Sequence, residues 1–193
     1  YVSWIGGLLR GNLGKSFQYR QAVTELLAVR YRTSVQLVAM SALMIIFLAI
    51  PLGVVSAAHK NSLLDQTLTV SSLIFVSSPP FFTGILLMLL FTMVWPVFPT
   101  FGTGANFWDN MKYLFLPAVS LAAVRVALSM RITRSNMVEQ LQAPYIQTAT
   151  AKGLSRRTIV YKHALKNAAI PIITVTALDI SGMLGGSVLL EKG

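Results

Sequence analysis

The run from Ser34 to Ala58 constrains this chain more than any other feature, because its 25 residues contain no Asp, Glu, Lys or Arg. A helix rises about 1.5 Å per residue, so roughly 20 such residues cross the hydrocarbon core of a bilayer. Only 11% of the 193 residues are charged, whereas soluble domains have roughly 25%. So few charges cannot form the hydrated surface of a soluble domain of this size. We therefore predict that this run is a transmembrane helix.

Three further runs have the length and composition of membrane spans. They are 68–95, which contains Pro79 and Pro80, 113–130, which contains Arg125, and 168–190, which contains Asp179. The two prolines must break or kink the second span, because each removes a backbone donor. Pro117 and Pro171 fall in the first turns of the last two runs, where proline is tolerated. The sequence thus predicts an all-α polytopic transmembrane helical bundle with four visible spans.

The segment 131–166 is basic, with seven Lys or Arg and a single acid, Glu139. Basic segments favour the cytoplasmic side of a membrane, which would place 131–166 and the turn 59–66 in the cytoplasm. Eight Lys and Arg would then lie inside and seven outside. Charge alone therefore barely orients the chain.

The basic segment has an internal order of its own. Residues 142–144 (QAP) interrupt a helix, and 145–152 form a short helix with Tyr145, Ile146 and Ala149 on one face. Gly153 is placed to end that helix, and Ser155 to cap the next one. This pattern of helix, glycine turn and helix suits the docking of another protein. A merely solvated connector is the alternative, but a segment of this length with its own helices is more often functional.

The run YIQTATAKGLSRR (145–157), followed by HALKNAAIP (163–171), resembles the EAA loop of ABC importer permeases. Within that family it is most similar to the branch that carries dipeptides, oligopeptides, nickel and glutathione. Shorter stretches also resemble motifs of that branch: RGNLGKS (10–16), IPLG (50–53), SSPPF (77–81) and GGSVLLE (185–191). The residues that fall on the coupling motif are Tyr145, Ile146, Gln147, Thr148, Ala149, Gly153 and Leu154. The sequence has Gln147-Thr148-Ala149 where Glu-Ala-Ala is named, and its proline comes only at Pro171.

The resemblance implies a single permease domain over 1–193, with four of six spans visible and residues 1–33 as an extracytoplasmic amphipathic segment. The short loop helix would insert into a groove of a cytoplasmic ATP-binding subunit, so that ATP-driven closure tilts the spans and alternates access. A second permease subunit and an extracytoplasmic substrate-binding protein are the other implied partners, besides membrane lipid. The chain itself would be non-catalytic, need no cofactor and lie in the inner membrane of a prokaryote.

Two charges lie within predicted spans, where a charged side chain costs about 2.5–3.5 kcal/mol on insertion scales and usually faces the bundle interior. Arg125 and Asp179 both fall near mid-depth, so a direct ion pair and a position along the translocation path are both open. A neighbouring Asp and Arg would suit a zwitterionic substrate. Pro79 and Pro80 are either a hinge or a packing feature.

Several sites are disfavoured by their spacing. GNLGKS (11–16) lacks the first glycine of a phosphate-binding loop, because Leu9 occupies that position. His59 and His163 have no partner at metal-ligand spacing, so we predict no metal site. The basic clusters are not interleaved with aromatic residues, which argues against nucleic-acid binding. A secondary transporter or channel driven by an ion gradient, and a membrane scaffold without transport, remain as alternative functions.

Overall fold

The computed structural model describes residues 6, 13–16, 20–99, 102, 104 and 106–190, without the side chains of 26, 27, 29, 30 and 184–190. In this part of the chain all regular secondary structure is helical, apart from one isolated β-bridge between Lys15 and Ala22. The α-helices are α1 Val23–Met44, α2 Ile50–Ala58, α3 Leu63–Ser77, α4 Pro80–Met88, α5 Phe107–Leu141, α6 Pro144–Ala151, α7 Arg156–Thr158 and α8 Leu165–Leu190. The predicted all-α bundle is confirmed.

Helical turns of π type continue several of these helices without a loop. Ile45–Ala49 joins α1 to α2, Leu89–Val94 extends α4, and Ile159–Ala164 joins α7 to α8. The first of these ends two residues before Pro51, whose missing N–H would interrupt a regular α-helical ladder.

Three of the described helices are long and apolar enough to cross a membrane: Tyr31–Ala58, Phe107–Leu141 and Arg156–Met183. A fourth crossing requires Leu63–Ser77 and Pro80–Val94 together, and these bend by 103° where they meet. Ser78 and Pro79 each precede a proline, which disfavours the helical region, and both have extended backbone angles. The predicted break at Pro79-Pro80 is therefore a sharp corner between two helices, the geometry of a broken span or a re-entrant loop.

The helix that contains the third predicted span is much longer than 113–130. It begins at Phe107, after an extended Asn106, and ends at Leu141. It therefore continues through the first eleven residues of the basic segment 131–166, and from Arg156 onward the chain is helical again. Arg131 marks only the end of the apolar run. The helix continues past it because its backbone hydrogen bonds form within the helix and not with side chains. The span limits 34–58, 68–95, 113–130 and 168–190 stay predictions.

The expectation that Pro117 and Pro171 lie in first turns is also wrong. Both lie inside helices, Pro117 in α5 and Pro171 in α8. The helices begin earlier than the apolar runs do, so positions near the start of a run are already in a helix interior. The predicted turn 59–66 is likewise shorter, because Ser62 caps α3 by accepting a hydrogen bond from the Asp65 N–H at 3.2 Å.

Helix α5 is the centre of the bundle and packs against α1, α2, α3, α4 and α8. Two clusters of buried side chains meet on it, one around Met137 and one around Met130. The closest approach is at Gly53 of α2, where a Cβ would lie 2.6 Å from Cβ of Thr133 and 2.7 Å from the Met130 carbonyl oxygen. Only glycine fits here, which explains the glycine of the IPLG stretch.

Some predictions fall outside the described residues. Most of the amphipathic segment 1–33 before α1 lies there, including residues 10–12 of the first motif, and so does residue 191 of the last one. Residues 185 and 186 are helical, but their surroundings lie outside the description.

Candidate coupling surface and intramembrane ion pair

The predicted glycine turn is present at the end of α6. Gly153 has φ +74°, its N–H donates to the Thr150 oxygen at 2.9 Å, and the Leu154 N–H donates to the Ala149 oxygen at 3.3 Å. These two bonds form a Schellman motif, which requires a left-handed residue and therefore favours glycine. A Cβ at Gly153 would have open space around it. The glycine is thus needed for its backbone conformation and not for close packing.

The next helix begins two residues later. Ser155 is extended, and its Oγ accepts a hydrogen bond from the Thr158 N–H at 3.3 Å, which caps α7. Arg156 donates from Nη2 to the carbonyl oxygen of Ala58 at the end of α2. The start of the α7–α8 helix is therefore held against the neighbouring helix end.

Helix α6 has one buried face and one open face. Ile146 and Ala149 are each 6% exposed and belong to the core cluster that also contains Met137 of α5 and Ala168 and Ile172 of α8. The other residues of the coupling motif are exposed: Tyr145, Gln147, Thr148, Gly153 and Leu154. The buried face of α6 is thus packed directly on two long helices, α5 and α8.

The two charges expected within spans form an ion pair. Arg125 Nη1 donates to Asp179 Oδ1 at 2.7 Å, and Ser129 Oγ donates to Oδ2 of the same carboxylate at 2.8 Å. The Arg125 side chain is 37% exposed and the Asp179 side chain 14%. A Cβ at Gly182 would lie 3.9 Å from the guanidinium nitrogens, an ordinary van der Waals contact. Sequence reasoning missed Ser129, although it lies one helical turn after Arg125.

A second ion pair was not expected from the sequence. Asp65 of α3 is 2% exposed and accepts from Arg134 Nε at 2.6 Å and Nη2 at 2.7 Å. Ser56 Oγ at 2.5 Å and the Asn61 N–H at 2.9 Å also donate to this carboxylate. The available signal was that Asp65 is the only acid between Glu25 and Asp109. A lone acid between two apolar runs, on the same predicted side of the membrane as the basic segment 131–166, needs a cationic partner.

Pro79 and Pro80 are placed at the corner between α3 and α4, away from both ion pairs along the chain. Helix α4 packs on α5, and a Cβ at Gly84 would lie 3.2 Å from Ser120 Oγ. Movement at the corner stays a prediction.

Among the described residues there is no group of three or more His, Cys, Asp and Glu that could hold a metal ion.

Comparison with known proteins agrees with this architecture. Residues 49–192 match the family described as binding-protein-dependent transport system inner membrane component. This chain belongs to that family. The match includes α2 to α8, and thus the coupling motif and both ion pairs. Together with the membrane-length helices, it shows a multi-pass protein of the bacterial inner membrane.

Curated relatives of this family member are permease proteins. The oligopeptide transport system permease protein AppB of Bacillus subtilis is 35% identical, over 100% of this chain and 63% of its own length. The dipeptide transport system permease protein DppB of Escherichia coli is 31% identical, over 99% and 64%. The glutathione transport system permease protein GsiC of Pectobacterium atrosepticum is 35% identical, over 98% and 60%. The chain thus spans less than two thirds of the length of these relatives.

Proposed function

We propose that this chain is part of the transmembrane subunit of an ATP-driven ABC importer. The subunit forms the path for peptides or a related small substrate, such as nickel or glutathione, and works by alternating access. The observation that carries this proposal is the structure of the segment 144–158. Its short helix is exposed on one side, packed into the core on the other, and ended by a left-handed glycine.

The packing of α6 supports the proposal that movement of a bound ATP-binding subunit is passed through α6 to the transmembrane helices. Ile146 and Ala149 lie in the same cluster as Met137 of α5 and Ala168 of α8. Because the buried face of α6 is packed against these side chains, a displacement of α6 shifts its neighbours on that face. The Schellman turn at Gly153 sets the direction in which the chain leaves α6.

The proposed partners hydrolyse ATP, complete the translocation path and deliver the substrate. Cytoplasmic ATP-binding subunits bind the exposed face of α6 and hydrolyse ATP, whereas the permease is not catalytic and requires no cofactor. A second permease subunit completes the translocation path, and an extracytoplasmic binding protein delivers the substrate. The permease names of the relatives, which mention oligopeptides, dipeptides and glutathione, support this substrate class.

We further propose that Arg125 and Asp179 line the translocation path. More than a third of the arginine side chain is exposed, and only one of its guanidinium nitrogens bonds to the aspartate. The remaining donors could bind a substrate carboxylate without breaking the pair. A substrate with both a carboxylate and an amine would match the two charges.

A fragment of a secondary transporter driven by an ion gradient, or of a channel, is the alternative transport function. The family and the names of its members favour the ATP-driven reading, and an ion-coupled carrier leaves the exposed helix and its glycine turn unexplained. A full-length protein that transports in vesicles without ATP-binding subunits would support the alternative. A scaffold without transport would show no aqueous path in cysteine labelling.

Two substitutions at one position test the coupling role. Gly153→Val places a β-branched residue at φ +74°, whereas Gly153→Asn places there the residue type that best tolerates this region. Neither side chain meets a neighbour near its Cβ. We expect the Val variant of the full-length importer to lose uptake and the stimulation of ATP hydrolysis, and the Asn variant to keep most of both. Wild-type coupling in the Val variant would contradict the proposal.

A further inference from the structure

A cavity of about 420 Å³ lies where the ends of α2 and α5 meet the turn between α6 and α7. Tyr145, Gln147 and Thr148 of the exposed face of α6 do not line it, whereas Thr150 and Leu154 do. Its volume falls within the range of small-molecule sites, roughly 300–1,000 Å³. The residues that line it are Ala57, Ala58, Lys60, Val138, Leu141, Gln142, Thr150, Leu154, Arg156, Ile159 and Val160.

The lining combines an apolar wall with two cations. Most of the side chains are aliphatic, whereas Lys60 and Arg156 carry positive charge and are exposed. No acid lines the cavity. In the described part of the chain the ion pairs are Lys112–Asp109, Arg125–Asp179 and Arg134–Asp65, so neither cation of the cavity takes part in one.

The geometry points to an anionic glycerophospholipid as the occupant of this cavity. Lys60 and Arg156 would bind the phosphate, and the aliphatic wall formed by residues such as Val138 and Leu141 would contact the upper part of an acyl chain. On α2 the cavity is lined by Ala57 and Ala58, at the end of a helix that is long enough to span a bilayer. This is the level at which a lipid has its phosphate next to its alkyl chains, and basic pockets between helix ends bind anionic headgroups.

Other occupants match the cavity less well. An acidic side chain from a soluble partner would satisfy the cations but leave the aliphatic wall uncovered. A neutral lipid would cover the aliphatic wall but leave the two cations without an anion. Glu139 is the acid nearest in sequence to the α5 residues of the wall, but it is exposed and forms no ion pair among the described residues.

A bound lipid would brace the coupling region. Its phosphate would join Lys60, just after α2, to Arg156, at the start of α7, where Arg156 already donates to the Ala58 carbonyl. The proposal concerns lipid binding, which does not require ATP or transport. Its test can therefore fail while the importer function stands, and the reverse also holds.

The test is retention of labelled phosphatidylglycerol by the full-length protein. The protein is reconstituted in phosphatidylcholine vesicles that contain deuterated phosphatidylglycerol, extracted in mild detergent and washed, and the bound lipid is measured by mass spectrometry. We expect Lys60→Gln/Arg156→Gln to retain about tenfold less deuterated lipid than the wild type, since each cation near a membrane surface contributes substantially to binding anionic lipid. Lys152→Gln/Arg157→Gln removes the same charge from exposed residues that do not line the cavity, and should retain wild-type amounts.

A second variant guards against misfolding, because Arg156 also holds the end of α2. Lys60→Glu alone reverses a charge on an exposed turn residue, and should cause a loss of similar size with unchanged thermal unfolding. Equal retention in wild type and both cavity variants would overturn the proposal. So would retention of phosphatidylcholine as strong as that of phosphatidylglycerol, which would leave only an apolar groove. Displacement of the lipid by millimolar inorganic phosphate would also overturn it, because the site would then bind a free anion.

Discussion

Arg134 and Asp65 form a two-pronged ion pair across the bundle, with Nε–Oδ1 at 2.6 Å and Nη2–Oδ2 at 2.7 Å. The pair joins the first turn of α3 to the part of α5 that lies beyond the predicted span. Bidentate guanidinium–carboxylate pairs have a defined orientation as well as strength. The start of α3, just after the turn from α2, is thereby held at one position on the central helix.

Loss of one partner of this pair should destabilise the protein more than loss of both. Removing one member of a buried pair typically costs about 3–5 kcal/mol, whereas an apolar replacement of the pair is often nearly neutral. We expect Arg134→Met to lower the free energy of unfolding by about 3 kcal/mol. This is the lower end of the range for a buried pair, because the Arg134 side chain is 27% exposed. Asp65→Leu/Arg134→Met should recover only part of that loss, because Ser56 Oγ and the Asn61 N–H lose their acceptor in the double variant. Unfolding of the full-length protein in detergent measures both, and a purely additive double variant would contradict the structure.

The contact between Gly53 and α5 should not tolerate a methyl group. In Gly53→Ala the new Cβ would lie 2.6–2.8 Å from Thr133 and the Met130 oxygen, so the two helices must separate. Overpacking of this kind costs about 1–3 kcal/mol. Gly84→Ala is the matched control, because its Cβ would lie 3.2 Å from a hydroxyl oxygen and meet no backbone of a neighbouring helix within 4 Å. The thermal unfolding temperature should fall clearly more in the first variant, and equal shifts would contradict this packing.

Variants of Arg125 and Asp179 should distinguish a structural role of this ion pair from a role in transport. An unpaired charge within a span costs about 2.5–3.5 kcal/mol, so Arg125→Leu and Asp179→Leu should each lower stability. The double variant carries no unpaired charge and should regain stability. If the pair lines the path, the double variant will still lack uptake of a substrate with a carboxylate and an amine. Full uptake by the stable double variant would show that the pair has only a structural role.

Cysteine labelling should distinguish the two faces of α6. The sequence contains no native cysteine. Gln147→Cys should react rapidly with a membrane-impermeant maleimide added from the cytoplasmic side, whereas Ile146→Cys should react at least about tenfold more slowly because position 146 is 6% exposed. Addition of the ATP-binding subunits should then protect position 147. Reaction of Gln147→Cys from the outside only would reverse the proposed orientation.

The helical segments were predictable because hydrophobicity and chain length are local properties. The uncharged run 34–58 lies within a continuous helical stretch, and the Pro79-Pro80 break is present because proline acts on its own backbone and on the preceding residue. Gly153 and Ser155 were identified for the same reason, since a left-handed turn and a helix cap depend on neighbours within a few residues. The helix limits were less predictable, because charge marks where an apolar run ends and not where backbone hydrogen bonds stop.

The amino-acid sequence by itself determined that this chain is a helical membrane protein with a glycine-ended helix in its basic segment, because lipid solvation and turn conformation require only local residue types. The tertiary structure alone decided which charges meet. Asp65 and Arg134 are 69 residues apart, and Arg125 and Asp179 are 54 apart. Such partners are selected by the angles at which whole helices pack on α5, to which residues throughout the bundle contribute.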